Sequence, residues 1–186
     1  MKTPTFLLCF VLFLFVPFTG MGQEIVLPLN SETNLIEYSE LVQIDSTTTQ
    51  KALYSRAKEW VAIAFKSAKD VIQMDDSENG IMILKGIIPI SGGMYLADGK
   101  VDFTMKIQLK NGRYKYWMTN FNHSSYKSGY SGGALENTKP ACGSMFMMKK
   151  GWNQVKESTD KYAHIITQNL KSFMTKQSID KKVENW

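Results

Sequence analysis

The stretch VDFTMKIQLKNGRYKYWMTNF, Val101 to Phe121, alternates apolar and polar residues through ten positions, breaks at Asn111-Gly112, and resumes with more aromatic residues and more positive charge. Period two marks a strand with one buried face. An Asn-Gly pair between two such runs closes a two-residue hairpin, because both residues tolerate positive φ; a type I′ turn is expected. The turn then dictates the register. Leu109 faces Tyr114, Ile107 faces Tyr116, Met105 faces Met118 and Phe103 faces Asn120 on the core side. The other side carries Lys110 against Arg113, Gln108 against Lys115, Lys106 against Trp117 and Thr104 against Thr119.

The flanking segments supply partners for this ribbon. Leu35 to Asp45 reads as a first strand with Tyr38, Glu40, Val42 and Ile44 on one side, a register that leaves Glu40 awkwardly placed. Thr47 to Thr49 offer N-caps for a helix over Gln50 to Ala68, in which Leu53, Ala57, Trp60, Val61, Ala64 and Phe65 recur on one face. Asp70 to Asp75 reads as a short strand ending in the turn signal DSENG. Ile81 to Ile90 is apolar on both alternations, which predicts a strand covered on both sides, with Gly86 and Pro89 marking a bulge or an edge near its end. From Lys149 onward a second amphipathic helix places Trp152, Val155, Tyr162, Ile166, Leu170 and Phe173 on one side. Two one-sided helices and an alternating antiparallel sheet define a two-layer α+β domain with both helices on one face of the sheet.

The amino terminus, MKTPTFLLCFVLFLFVPFTGMGQE, has one cation, an apolar run from Phe6 to Phe18 and small residues at Gly20 and Gly22. This is the pattern of a secretory signal peptide cut after Gly22, so a periplasmic or secreted protein beginning at Gln23 is expected, with no transmembrane segment after cleavage. Cys9 leaves with the leader, Cys142 remains alone, and no intrachain disulfide can form. The organisation is therefore a signal peptide over 1–22, a leader over 23–34, one domain over 35–176 with a long Ser/Gly/Tyr-rich loop over 122–148, and a polar tail over 177–186. About 160 residues suffice for a core without metal or disulfide.

YSELVQID, LYSRAKEWVAIAFKSAKDVIQMDD, ILKGIIPI and IQLKNGRYKYWMTNF, taken together, resemble a family of secreted bacterial domains of unknown function with a TATA-binding-protein-like (TBP-like) fold. The resemblance covers most of Glu37 to Phe121, with the closing helix a looser match. It implies one β-α-β4-α unit with a curved sheet, and it brings no catalytic residues. The segment after Asn122 departs from the compact pattern. Likeness to the TATA-binding fold does not imply DNA binding, and no nucleic-acid partner is expected.

No motif calls for a cofactor, a metal or catalysis. Cys142 has His123 and His164 as its only possible imidazole partners, without a surrounding nucleophile motif, so an incidental thiol in a loop is the plainer reading and an enzyme the rival one. Asp75, Asp76 and Glu78 lack the alternation of a calcium loop and read as a solvated turn. Gly92-Gly93 and Gly132-Gly133 follow no phosphate-loop spacing and read as loop flexibility. The basic, aromatic ribbon face is the one candidate site: Lys106, Lys110, Arg113 and Lys115 around Trp117 could hold an anion or stack a planar ring. Its plainer reading is solubility, with long cations covering apolar area. A net charge of +5 permits anionic partners without demanding them. The functional expectation is a non-enzymatic envelope domain that binds a protein or an anionic ligand through this face. Mass spectrometry of the native protein should find Gln23 at the amino terminus in the soluble envelope fraction; an intact Met1 in the membrane fraction would overturn the export reading.

Overall fold

In the computed structural model, which describes residues 25–91, 98–127 and 129–175, the elements run β1 (Tyr38–Gln43), α1 (Gln50–Ala64), α2 (Ala68–Val71), β2 (Ile72–Asp76), β3 (Ile81–Ile90), β4 (Gly99–Lys110), β5 (Arg113–Ser125), β6 (Gly133–Ala134) and α3 (Lys149–Thr175). The signal-peptide region, Gly92-Gly93 and the tail over 177–186 lie outside the described residues. All strand pairings are antiparallel, in the order β1-β5-β4-β3-β2, with β6 added to β5. Helices α1 and α3 pack on one side of the sheet, which is the two-layer α+β arrangement expected from the alternation.

The β4–β5 register follows the expected pairs from Lys110↔Arg113 to Thr104↔Thr119. Two local features differ. Among the described residues only Asn34 and Asn120 are non-glycine residues with positive φ, and Gly112 has φ 69°, so the turn has a single left-handed residue at its second position and is not type I′. Tertiary contacts hold this tip: Gly112 N–H donates to Thr48 O at 2.9 Å, Ile44 N–H donates to Gly112 O at 2.7 Å, and Asn111 Oδ1 accepts from Gln50 N–H at 2.7 Å. The second difference is at Phe103, which does not face Asn120. Asn120 takes φ 59° in a bulge, pairing resumes at Asp102↔Asn122, and the extra residue turns Phe121 onto the core face, where it is buried.

Strand β3 is buried on one face only, correcting the two-sided expectation: Met82, Leu84, Ile88 and Ile90 point to the helices, while Ile87 on the other face is 56% exposed. Beyond Leu84 this strand has no β2 partner, so Pro89 sits at an edge, where its missing N–H costs no ladder bond. Gly86 is required by close approach, since a Cβ there would lie 2.1 Å from the Phe103 ring. In β1 the awkward Glu40 does face the helices, where Tyr116 donates to it at 3.2 Å and Lys171 at 2.9 Å.

Helix α1 begins at the Thr49 cap, whose hydroxyl accepts from Ala52 N–H at 3.2 Å. It ends at Ala64, four residues earlier than expected, because Phe65 turns to extended backbone and sets its ring edge-on to Trp60 at 5.6 Å. Leu53, Ala57, Trp60 and Val61 are buried as expected, joined by Tyr54, whereas Ala64 is exposed. In α3 the buried stripe is Trp152, Val155, Thr159, Ala163, Thr167, Leu170 and Met174, and Tyr162 stands outside it, 40% exposed. The threonines can be buried because the Thr159 and Thr167 hydroxyls donate to the carbonyls of Val155 at 2.8 Å and His164 at 3.1 Å. Polar residues with self-satisfied hydroxyls read as surface in a pattern, and here they are core.

The Ser/Gly/Tyr-rich segment is built onto the domain. Its first four residues, Asn122 to Ser125, belong to β5, and Gly133–Ala134 form β6. Gly132 is not there for flexibility: a Cβ would lie 2.3 Å from the Trp152 ring, and its N–H donates to His123 Nδ1 at 2.9 Å. Leu135 and Met147 are buried beside it. The leader likewise packs, with Leu27 buried and a bridge from Leu29 to buried Ile36 of the domain.

Trp60 is 1% exposed and its indole donates to Asn169 Oδ1 at 2.8 Å, joining α1 to α3. Trp60→Ala is expected to cost about 3 to 5 kcal/mol in denaturant titration, through the cavity left by the ring. A loss below about 1 kcal/mol would contradict the packing of α1 described above.

Candidate functional site

The face of the sheet away from the helices is assembled from rows of paired residues. Ser39, Trp117, Lys106, Ile83 and Met74 make one row across five strands; Leu41, Lys115, Gln108, Ile81 and Asp76 make the next; Gln43, Arg113 and Lys110 make a third. The five candidate residues therefore share one surface, because β4 and β5 alternate in step and the hairpin turn fixes their register. The Trp117 ring holds two ammonium groups near its face, Lys106 Nζ at 5.3 Å from the ring centroid and Lys115 Nζ at 4.6 Å. Such contacts at partly exposed sites contribute about 0.5–1 kcal/mol each.

A groove of about 360 Å³ lies along this surface, lined by Leu41, Gln108, Lys110, Arg113, Lys115 and Trp117. A wider, more polar hollow of about 510 Å³ lies at the hairpin tip and shares Lys110 and Arg113 with it. None of Lys106, Lys110, Arg113 and Lys115 forms an ion pair with a described residue. Asp45, in the adjoining β1–α1 connection, accepts from Thr47 N–H at 2.9 Å, which holds its carboxyl below the usual carboxylate range. Lys110 and Arg113 are directly opposed across the hairpin, and like charges in opposed positions repel. The surface thus gathers uncompensated positive charge beside an apolar wall.

Leu41, 51% exposed, is the part of this groove that pattern reading missed. Its place on the odd-numbered side of β1 was legible, but only the pairing of β1 with β5 brings it beside Lys115. Met74 of β2 and Ile83 and Ile87 of β3 are further apolar residues on the same face, the latter two hidden by the two-sided reading of β3.

Cys142 and the two histidines have different described partners. His123 is fully buried, with Nδ1 accepting from Gly132 N–H, and its ring lies 6.2 Å from Trp152. His164 stands 3.6 Å from Asp160 and edge-on to the Tyr38 ring at 5.4 Å. The Cys142 thiol is half-buried near Gly143 O at 4.0 Å. No described hydrogen bond joins the thiol to either imidazole. Asp160 instead accepts from the Tyr38 hydroxyl at 2.6 Å, and burial together with this carboxylate drives the phenol far above its ordinary range. Tyr116 is pushed up to about 12, by burial and then by the Glu40 charge. Both phenols remain donors, Tyr38 tying β1 to α3 and Tyr116 tying β5 to Glu40 of β1. The acidic turn is also structural: Asp75 pairs with Lys58 at 2.7 Å and accepts from Tyr54, which lower its pKa in that order, and Asp76 accepts from Asn79 N–H at 3.0 Å.

An antiparallel sheet with helices α1 and α3 on one face and, among the described residues, no element on the other places this domain in the TBP-like class of α+β folds. A family model described as "Domain of unknown function (DUF4468) with TBP-like fold" matches residues 38–124, from the start of β1 to the penultimate residue of β5. Solved structures agree on the fold. A TBP-like protein from Parabacteroides distasonis superposes with a TM-score of 0.51 at 11% identity, covering 74% of this chain and 93% of that one. A DUF4468 family protein from Bacteroides ovatus gives 0.56 at 13% identity, covering 84% and 95%. No curated protein matches the sequence. The matched segment contains the whole basic ribbon, while α3 lies beyond it.

The two sides of β5 should respond differently to truncation. Trp117→Ala removes a partly exposed ring and is expected to cost less than about 1 kcal/mol in urea titration. Tyr116→Ala, one position away in the core, is expected to cost about 3 kcal/mol or more. Equal costs would mean that the Trp117 face is packed against something.

Proposed function

We propose that the protein is an exported, non-enzymatic binding module of the cell envelope that works through the open face of its sheet. The observation that carries this reading is the cluster of four cations without described ion pairs around Trp117, held in register by a rigid hairpin. Solubility alone would be served by charges of both signs, interspersed. Here three cations and no acidic residue line one groove with Leu41 and Trp117, the composition of a recognition surface. The helices and their polar ties maintain the fold from the other side, so binding and stability draw on different residues. The leader at the amino terminus supports export, and an exported domain has no route to chromosomal DNA, so the fold's namesake does not supply the ligand.

Wild-type protein immobilised and exposed to envelope extract should retain a component that Trp117→Ala loses. Arg113→Glu should lose it as well, with the largest deficit at low ionic strength, because exposed charges are screened as salt rises. Ile63→Ser, on the exposed outer side of α1, should retain it like wild type. Equal retention by all four proteins would remove the open face as the binding surface.

A further inference from the structure

Resting on that reading of the open face, we infer that the groove beside Trp117 takes a small free organic anion, a carboxylate or phosphate carried on an apolar body. The two ends of the groove differ in chemistry. At the hairpin end stand Lys110 and Arg113, opposed across the turn, with Lys115 one pair further along. An oxyanion placed between them relieves the repulsion of the opposed cations, and the planar guanidinium of Arg113 can meet two of its oxygens at once. Gln108 adds an amide donor on the same side. The other walls are apolar: Leu41 from β1, half exposed, and the Trp117 ring. Two lysines already lie near the face of that ring, so it is better placed to bound an aliphatic or aromatic body with its edge than to act as an open stacking platform.

Size and arrangement choose the occupant. A groove of about 360 Å³ is at the small-molecule end of ligand sites. A membrane surface would call for apolar side chains that protrude beyond a ring of cations, whereas Leu41 and Trp117 line the walls of a concavity that they share with Lys110, Arg113 and Lys115. A bare inorganic anion would leave Leu41 without a role. The combination of an anionic head and an apolar body satisfies both ends.

The test uses the full chain labelled with nitrogen-15, following the indole N–H signal of Trp117, which is assigned by its loss in Trp117→Phe. Octyl phosphate and octanoate, below their micelle concentrations, should shift this signal saturably. Inorganic phosphate should bind at least about tenfold more weakly for want of the apolar contact, and octyl glucoside at least about tenfold more weakly for want of the charge. The Lys110→Gln, Arg113→Gln double variant and Leu41→Ser should each weaken octyl phosphate binding by about tenfold while keeping the wild-type amide spectrum elsewhere. Octyl glucoside binding as tightly as octyl phosphate would overturn the anionic head, and inorganic phosphate binding as tightly would overturn the apolar body. Sedimentation with phosphatidylglycerol vesicles in the absence of any shift with octyl phosphate would overturn the free ligand in favour of a membrane. No response to any probe, with retention from envelope extract still dependent on Trp117, would reject the ligand class alone; loss of both would reject the binding face itself.

Discussion

A slip of one residue between β4 and β5 would exchange every side chain of the hairpin between core and solvent. Lys106, Lys110, Arg113 and Lys115 would then be driven under the helices, and Met105, Ile107, Leu109, Tyr114 and Tyr116 would be exposed. The pairing Lys110↔Arg113 across Asn111-Gly112 prevents this, and the domain guards that point with bonds from outside the hairpin. Gly112 exchanges hydrogen bonds with Thr48 and Ile44, and the Asn111 side chain accepts from the first N–H of α1. The hairpin tip, the end of β1 and the start of α1 are thus one junction. From it β5 carries β1 on one flank and β4 carries β3 on the other.

Given that register, the helices are positioned by apolar burial and oriented by a few polar ties. Leu53, Trp60, Trp152, Val155 and Leu170 supply buried area, which is nondirectional. Direction comes from Tyr38 to Asp160, from Tyr116 and Lys171 to Glu40, from Trp60 to Asn169, and from Arg56 to the carbonyl of Met174 near the end of α3. All but Tyr116–Glu40, which joins β5 to β1, tie α3 to β1 or α1 across a long stretch of chain. Water can replace a lost partner at exposed Glu40 and Asn169, so these ties select one helix placement more than they add stability.

The consequence for function is a division of labour between the two faces. Aromatic residues on the helix side, Phe103, Tyr114 and Phe121, are locked in the core, and only Trp117 of the hairpin aromatics faces outward. The bulge at Asn120 sharpens the division, since it inserts one residue, returns Phe121 to the core, and bends the ribbon beyond the candidate groove. A surface built on paired strands holds its cations in fixed relation, which loops of the same composition would not do.

Local chemistry made part of this legible in the sequence. Period two and the Asn-Gly signal specified the hairpin, its register and the sharing of one face by Lys106, Lys110, Arg113, Lys115 and Trp117, because strand alternation and turn geometry act over a few residues. Helical spacing likewise placed Trp60 and Trp152 in the core. Tertiary structure decided what depends on distant partners. Glu40 is accommodated inward only because Tyr116, 76 positions away, and Lys171, 131 positions away, meet it there. Thr159 and Thr167 are core residues only because α3 presents that stripe to the sheet. Leu41 borders the groove only because β1 chose the free edge of β5, a choice of lateral strand order that no local period encodes.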